Sequence, residues 1–362
     1  MIERLAIAPF ILSLVMSLAL TSITIQIYRA FGWVDKSTKK DHPKNIHTEP
    51  VPRGGGIPIY GSMLLTILLL VPFDQHMAGI IVGATILLIL GVLDDVCDIS
   101  PYWRLFFGSV VALIVVLSGI GINYMSSPAG GILHLNQWIS NISVFGHITT
   151  ISWIADALAM LWIVWCMNFV NMGAKGLDGQ LPGVVVIASI VMGILSFRFA
   201  NDITAWPSTA VAFALAGSFA GLLLFNVYPQ KIMPGWGGGS LAGYFLAVLA
   251  ILSGAKVATA IIVLGVPLMD VSYAIVRRII SGKSPVWGDD KHLHHKLLQI
   301  GWTKRQVAGF YWLVTAILGV IALKLDARAK VYAIIMLAVL VGGLLLWINL
   351  FLSQRRQESL NG

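Results

Sequence analysis

The chain has 362 residues, of which 57% are hydrophobic and 11% charged, and its mean hydropathy is +0.85. A soluble core of this size could not hide so much apolar surface, so the composition predicts an integral membrane protein. The net charge of +8 does not indicate nucleic-acid binding, because the basic residues fall between apolar segments and do not interleave with aromatic residues. Cys97 and Cys166 lack metal-ligand spacing and are expected to be thiols in the core.

Segments of about 17 to 25 apolar residues can cross a bilayer as helices. The sequence offers eleven candidates, of which the first is expected to be retained because its apolar run is longer than that of a signal peptide. The shortest is 240–254, which contains Gly243 and Gly254. The predicted fold is therefore an all-α, polytopic helical bundle forming one domain over 1–362. The candidates are 6–28, 57–73, 77–93, 105–122, 151–170, 183–200, 207–227, 240–254, 257–276, 307–325 and 331–352.

The distribution of basic residues predicts the orientation of this bundle, because cytoplasmic loops carry an excess of Lys and Arg. With the N-terminus outside and the C-terminus inside, most of the 24 basic residues fall in the inner loops and the C-terminal tail. This orientation also places every motif described below on the cytoplasmic face. A single cytoplasmic active site is therefore expected.

Two inner segments come early in the chain. The loop after the first helix carries Asp35, Asp41, His42, Lys44, His47 and Arg53 before a run of three glycines, and its basic residues suit phosphate. A basic anchor with a flexible hinge is the alternative. Next, Asp94 and Asp95 end the third helix, followed by Asp98 and Arg104. Adjacent carboxylates could accept a proton, position a cation or hold a basic partner, whereas a solvated helix cap would explain them without chemistry.

The third and fourth segments are rich in asparagine and glycine. Asn168 and Asn171 lie three residues apart on one helical face, and Asp178 follows beyond Lys175. Their oxygen atoms are donors of the kind that magnesium prefers, although helix capping and a glycine turn could account for them too. Pro234-Gly-Trp-Gly-Gly-Gly-Ser240 precedes the eighth helix. It could offer backbone amides to a phosphate or serve as a flexible linker.

The fifth segment, residues 289–296, reads Asp-Asp-Lys-His-Leu-His-His-Lys and is unusually dense in titratable groups. It follows Asp270 in the ninth predicted helix and the pair Arg277-Arg278. Imidazole and guanidinium groups could bind a diphosphate or a sugar. The excess of basic residues expected in cytoplasmic loops explains the two arginines. It does not explain three histidines within four positions.

Together these segments resemble the polyprenyl-phosphate N-acetylhexosamine-1-phosphate transferases, glycosyltransferases of the family 4 type. That family includes undecaprenyl-phosphate N-acetylglucosamine-1-phosphate transferase and phospho-N-acetylmuramoyl-pentapeptide transferase. The resemblance implies transfer of a sugar 1-phosphate, by default N-acetylglucosamine 1-phosphate, from a UDP-sugar to undecaprenyl or another polyprenyl phosphate, with release of UMP. It also implies magnesium and an active site at the cytoplasmic face of the plasma membrane, at the start of cell-envelope polysaccharide or peptidoglycan precursor synthesis. The expected partners are the two substrates and membrane lipid, and an oligomer is compatible with the sequence.

The resemblance assigns roles residue by residue. The aspartate pair would handle the lipid phosphate, Arg104 stands near a lysine of the family, and the histidines would bind the sugar and diphosphate of the donor. The expected catalytic residues are Asp94, Asp95, Asp178, His292, His294 and His295. The expected substrate-binding residues are Arg53, Arg104, Asn168, Lys175 and Asp290, and the expected magnesium ligand is Asn171.

This chain departs from the family pattern at two positions. Lys175-Gly176 and an extra residue stand where the family has its first Asp-Gly pair, and Gly237 stands where it has a magnesium-binding aspartate. Loss of a carboxylate removes a unit charge next to the metal and would weaken a conventional site. Lys175 could partly offset this loss by meeting the diphosphate directly, and Asp178 or Asp94 could take over coordination. Two other functions stay open. One is a lipid-phosphate or nucleotide-sugar binding protein without catalysis, and the other is a polytopic transporter, although the sequence lacks paired inverted repeats or broken helices in matching positions.

Overall fold

The computed structural model describes residues 1–35, 50–127, 131–144, 147–174, 177–198, 206–253, 257–284 and 292–361. Within these ranges the chain forms thirteen α-helices and three short antiparallel hairpins. A π-helical turn, Glu3–Ile7, leads into the first helix. The helices are α1 (Ala8–Ala30), α2 (Gly56–Leu70), α3 (Gln75–Cys97), α4 (Pro101–Leu117), α5 (Trp153–Gly173), α6 (Gln180–Phe197), α7 (Trp206–Asn226), α8 (Gly235–Leu252), α9 (Val257–Val263), α10 (Gly265–Ile280), α11 (Leu293–Gln299), α12 (Lys304–Lys324) and α13 (Ala327–Asn361).

The helices confirm an all-α polytopic membrane protein. Among the described residues, eight are long and apolar enough to cross a membrane, and a bent pair raises the number to nine. Two further apolar helices, α2 and α4, have only 15 and 17 residues. Each of the eleven predicted segments overlaps a helix, because a run of apolar side chains with all backbone groups paired internally is the form that lipid permits.

The predicted span 257–276 is bent, because the chain turns by 84° between α9 and α10. Gly265 and Pro267 lie just after the break at Leu264. A proline in a continuous helix has no N–H for the carbonyl four residues earlier, here that of Val263, and its ring crowds that turn. The two helices therefore separate at this point, and α10 takes its own direction towards the site described below.

Helix α8, predicted as the shortest span, is the centre of the bundle. Within its apolar window 94% of the residues are buried, more than in any other described spanning helix. Gly243 packs directly on the backbone of Cys166 and Met167 in α5, where a Cβ atom would lie 2.7 Å from the Met167 Cα. A glycine that weakens a helix in isolation thus permits the close helix contact that stabilises membrane bundles.

Helices α1, α2 and α7 form a second packed group beside α8. Ser17 Oγ on α1 donates a hydrogen bond to the Ser218 carbonyl on α7 over 2.7 Å. Ser62 on α2 donates to the Ser218 hydroxyl over the same distance. Small and hydroxyl residues let these backbones approach and satisfy one another inside the membrane.

The hairpins were not predicted. They pair β1 (Val34–Asp35) with β2 (Val51–Pro52), β3 (Tyr124–Ser126) with β4 (Ile132–His134), and β5 (Ile139–Val144) with β6 (His147–Ser152). These strands are short and lie between spans, where period-two patterning is too brief to detect. The first hairpin aligns Asp35 with Val51, which brings Arg53 beside Asp35.

The prediction for the two thiols is half correct. Cys166 is buried in α5, but Cys97 is exposed at the end of α3. A residue in the last turn of a spanning helix reaches the bundle surface, which composition alone does not show.

Candidate active site

The site is built where the beginning of α8 meets three other chain segments. Met233 N–H donates to the Pro52 carbonyl over 2.7 Å, and Gly55 N–H donates to the Met233 carbonyl over 3.0 Å. These bonds join the segment that precedes α2 to the segment that precedes α8. Residues 180 positions apart in the sequence are thereby fixed together at one end of the bundle.

Glycines at the crossing of α3 and α8 allow these helices to touch. A Cβ atom on Gly91 would lie 2.6 Å from the Gly237 Cα, and one on Gly237 would lie 3.0 Å from the Gly91 Cα. Residues 235–240 are buried, so the run is part of a packed helix and the flexible-linker alternative is wrong. Gly237 therefore stands where a carboxylate would need α3 to move away.

The paired aspartates at the end of α3 have different surroundings. Asp94 Oδ1 lies 2.6 Å from an Arg104 guanidinium nitrogen and accepts the Ile99 N–H over 3.1 Å. Arg104 also donates to Asp98 over 3.0 Å. Asp94 is thus held in an ion pair that closes the turn between α3 and α4, and Arg104 is placed by two carboxylates.

Asp95 instead faces a cavity of about 130 Å³ that Trp33, Val34, Asp35 and Arg53 also line. Tyr28, fully buried at the end of α1, donates its hydroxyl to Asp95 Oδ2 over 3.2 Å. Arg53 Nε donates to Asp35 Oδ2 over 2.9 Å. The cavity therefore combines two carboxylates, Asp35 and Asp95, with a partly exposed guanidinium that is paired with Asp35. A guanidinium is a group that binds phosphate by paired hydrogen bonds.

Tyr28 and Trp33 are site residues that sequence reasoning missed. Their rings meet edge to face with centroids 5.4 Å apart, and Tyr28 also fills the space beside Gly54. The available signal was an aromatic pair at the inner end of the first apolar segment. It could not be separated from the Trp and Tyr residues that ordinarily sit at a membrane interface.

The end of α5 carries the asparagines. Asn168 donates its amide to the Val164 carbonyl over 2.8 Å within its own helix. Asn171 packs against Gly239 of α8, and its Oδ1 is buried without a hydrogen-bond partner among the described residues. The Asn171 side-chain oxygen therefore faces the beginning of α8 and can coordinate a ligand. Lys175 lies outside the described residues.

Asp178 lies just beyond α5, buried, with its Oδ2 3.8 Å from Lys304 Nζ at the beginning of α12. The same ammonium lies 5.2 Å from the ring centroid of Tyr228, over which the Arg305 guanidinium also lies at 5.6 Å. No sequence pattern indicates that Lys304 and Asp178 meet, because 126 positions separate them and Lys304 resembles an ordinary loop charge.

The rings of His292, His294 and His295 lie next to one another at the beginning of α11. The rings of His292 and His294 are nearly parallel with centroids 5.7 Å apart, and the His295 ring follows at 4.2 Å. His292 Nδ1 lies 3.0 Å from Asp270 Oδ2 in α10. Burial, together with the neighbouring His295 and His292, holds the pKa of His294 well below 6.5, so this ring is neutral at pH 7.

Helix α10 connects the histidines to the rest of the site. Its Pro267 carbonyl packs against Gly173 in the last turn of α5, and Asp270 follows one turn later. The structure therefore brings Arg53, Asp95 and Asn171 together through α8, and it ties the histidine group to α5 through α10. Asp41, His42, Lys44, His47 and Asp290 lie outside the described residues.

The described residues offer few free oxygen donors to a magnesium ion. The Asn171 oxygen, which has no hydrogen-bond partner among the described residues, suits such an ion. However, Asp94 and Asp178 each lie within 4 Å of a basic side chain, and no group of three or more His, Cys, Asp or Glu side chains in the described ranges could hold a metal. The described donors therefore do not fit a magnesium site built from carboxylates.

The chain is similar to one protein family and to several known transferases. The model of the family described as glycosyl transferase family 4 matches residues 77–254. A probable undecaprenyl-phosphate N-acetylglucosaminyl 1-phosphate transferase of Bacillus subtilis is 28% identical, over 92% of this chain and 89% of its own length. A decaprenyl-phosphate N-acetylglucosaminephosphotransferase of Mycolicibacterium smegmatis is 27% identical, over 83% of this chain and 80% of its own length.

An undecaprenyl-phosphate alpha-N-acetylglucosaminyl 1-phosphate transferase of Yersinia pestis is 25% identical, over 91% of this chain and 87% of its own length. The family match runs from α3 to just past the end of α8. It thus includes the aspartate pair, the asparagines and the glycine run that meet around α8. Over this part, the chain is similar to glycosyl transferase family 4.

Proposed function

We propose that the protein transfers N-acetylglucosamine 1-phosphate from UDP-N-acetylglucosamine to a polyprenyl phosphate, with release of UMP. The relatives named above carry this activity in their names, and they match nearly the whole chain. The product would begin the synthesis of a cell-envelope glycan. Undecaprenyl phosphate is the acceptor named for the Bacillus subtilis relative.

The observation that carries the proposal is the contact of the α8 N-terminus with three segments that each bear a phosphate-handling or oxygen-donor group. Arg53 arrives with the first inner loop, Asp95 with α3 and Asn171 with α5. These groups surround the end of the bundle at which a lipid phosphate and a soluble nucleotide could meet. A structural core alone would not require a guanidinium and a carboxylate to face the same cavity.

In the proposed reaction, an oxygen of the polyprenyl phosphate attacks the sugar-bearing phosphorus of the donor. A new phosphorus–oxygen bond forms to the lipid phosphate, while the bond from that phosphorus to the bridging oxygen breaks and UMP leaves with the electron pair. The main requirement is to hold two anions together and neutralise the leaving phosphate. Arg53 would bind the lipid phosphate beside Asp95, and Arg104 and Lys304 would supply positive charge for the diphosphate.

The remaining groups have supporting parts in this proposal. Asp95 would keep the attacking phosphate ionised by accepting its proton, and the histidines would bind the sugar and diphosphate of the donor. Asn168, Lys175, Asp178 and Asp290 would complete the donor site.

The proposed topology has eleven spans in one domain over 1–362. The eight long helices, the bent α9–α10 pair and the two short helices α2 and α4 together supply that number. An outside N-terminus and a cytoplasmic C-terminus follow from the basic inner loops. The active site would then face the cytoplasm, where UDP-sugars are available, in the plasma membrane.

A second function, binding of the same ligands without turnover, is favoured by one observation. Two of the expected catalytic carboxylates, Asp94 and Asp178, are held by Arg104 and Lys304. Groups fixed in this way can bind phosphates through their basic partners while contributing no proton transfer. The two functions differ in whether UMP appears.

The test is UMP release from UDP-N-acetylglucosamine by purified protein in detergent, with undecaprenyl phosphate, with and without magnesium. Turnover is expected, and Asp95→Asn and Asp94→Asn are expected to reduce it to background because they alter the cavity and release Arg104. Asp326→Asn is the control, since Asp326 only caps α13 by accepting the Ala329 N–H over 2.8 Å. Ligand-dependent thermal stabilisation without UMP release would support the binding function and contradict the transferase.

A further inference from the structure

Asp270 is a buried carboxylate that holds the first residue of the histidine group from two directions. Its Oδ2 lies 3.0 Å from His292 Nδ1, and its Oδ1 accepts the backbone N–H of Leu293 over 2.9 Å. Asp270 is 1% exposed and His292 is 4% exposed. One carboxylate therefore fixes both the His292 ring and the backbone that begins α11.

This geometry determines where the proton of His292 resides. An ionised carboxylate can only accept hydrogen bonds, so the ring nitrogen that faces Asp270 must carry hydrogen. Nδ1 is thereby committed to Asp270 whether the imidazole is neutral or charged. The other nitrogen, Nε2, is left as the atom through which His292 can meet a ligand.

The position of Asp270 also relates the histidines to the rest of the site. It lies one turn after Pro267, whose carbonyl packs on Gly173 at the end of α5. The His292 ring in turn stacks on His294, and the His295 ring lies tilted against His294. A change at Asp270 would therefore alter the orientation of the whole stack relative to the asparagine end of α5.

We propose that Asp270 is a positioning residue that keeps a proton on His292 Nδ1 and so presents Nε2 to the phosphate-bearing substrate. This inference rests on the proposed transfer reaction for its kinetic consequence, but the state of the ring can be tested without turnover. Asp270 touches no substrate in this account and acts only through His292.

The variant Asp270→Asn separates positioning from simple structural support. Its amide oxygen can still accept the Leu293 N–H, while its NH₂ group would donate to Nδ1. That reversal places the ring hydrogen on Nε2 with almost no change in shape. The matched control is Asp156→Asn, because Asp156 likewise accepts a backbone N–H, from Ser152 over 2.9 Å, but lies at the other end of α5.

The direct measurement is ¹⁵N NMR of protein labelled with ¹⁵N-histidine, with the His292 signals identified by their loss in His292→Gln. In the wild type we expect the Nδ1 signal of His292 to be that of a protonated nitrogen, and in Asp270→Asn that of an unprotonated one. An unprotonated Nδ1 in the wild type would overturn the proposal even if the variant failed to fold.

The kinetic measurement uses the UMP assay. Asp270→Asn is expected to lower kcat by about 10- to 100-fold, the usual effect of removing a residue that orients a functional histidine, with little change in Tm. Asp156→Asn should keep wild-type turnover. The positioning role would also be refuted if Asp270→Asn kept the wild-type kcat while its His292 carried hydrogen on Nε2. An inactive wild type would contradict the transfer reaction and leave the NMR test intact.

Discussion

The contact between α3 and α8 gives the most direct test of how the site is assembled. In Gly91→Ala the new methyl carbon would lie 2.6 Å from the Gly237 Cα and 3.2 Å from its backbone nitrogen. Both are backbone atoms of the most buried helix, so they cannot turn aside as a flexible side chain would. The helices must therefore separate, and Asp95, one turn beyond Gly91, moves with α3.

Overpacking of this kind costs about 1–3 kcal/mol, which in a chain of this length corresponds to a fall in Tm of about 1–4 °C. The assay is thermal unfolding of the purified protein in detergent, followed by tryptophan fluorescence, together with UMP release. Gly343→Ala is the control, because no atom lies within 4 Å of a Cβ placed there in α13. That variant should match the wild type or gain up to about 1 kcal/mol from helix propensity.

Both the stability and the activity of Gly91→Ala should fall, since the same displacement strains the bundle and opens the cavity beside Asp95. The reasoning would be refuted if Gly91→Ala unfolded at the same temperature as Gly343→Ala and released UMP at the wild-type rate. Such a result would mean that α3 and α8 do not approach as closely as described.

Two further predictions concern pH and metal. The pKa of His294 is lowered by burial and by His295 and His292, so below pH 6.5 the unfolded chain binds a proton that the folded chain does not. The free energy of unfolding should therefore fall as the pH drops, by up to about 1.4 kcal/mol per pH unit. Tm measured at pH 7.5 and at pH 5.5 should differ less in His294→Gln than in the wild type. An equal difference in both proteins would contradict the assignment. Because Arg104 and Lys304 already neutralise Asp94 and Asp178, EDTA should reduce UMP release by no more than about tenfold, or 1.4 kcal/mol in the barrier. Complete loss with EDTA that magnesium restores would show instead that a divalent ion completes the site.

The sequence by itself determined the class of the protein and the segments that matter. Long apolar runs must become helices in lipid, because each helix pairs its own backbone groups, and every predicted span does overlap a helix. Charged groups are costly in hydrocarbon, so the clusters around Asp94, Asn171 and His292 stood out as functional candidates. The same local logic did not show the 84° bend between α9 and α10, which lies next to Pro267.

Only the tertiary structure decided which partners these residues have. Adjacent Asp94 and Asp95 look equivalent in the sequence, yet one is bound to Arg104 and the other lines a cavity with Arg53. The pairing of Asp178 with Lys304 depends on two helix ends meeting, which no local pattern encodes. Hydropathy describes how each residue interacts with the membrane, whereas the chemistry of a carboxylate depends on the charge that folding places within a few ångströms of it.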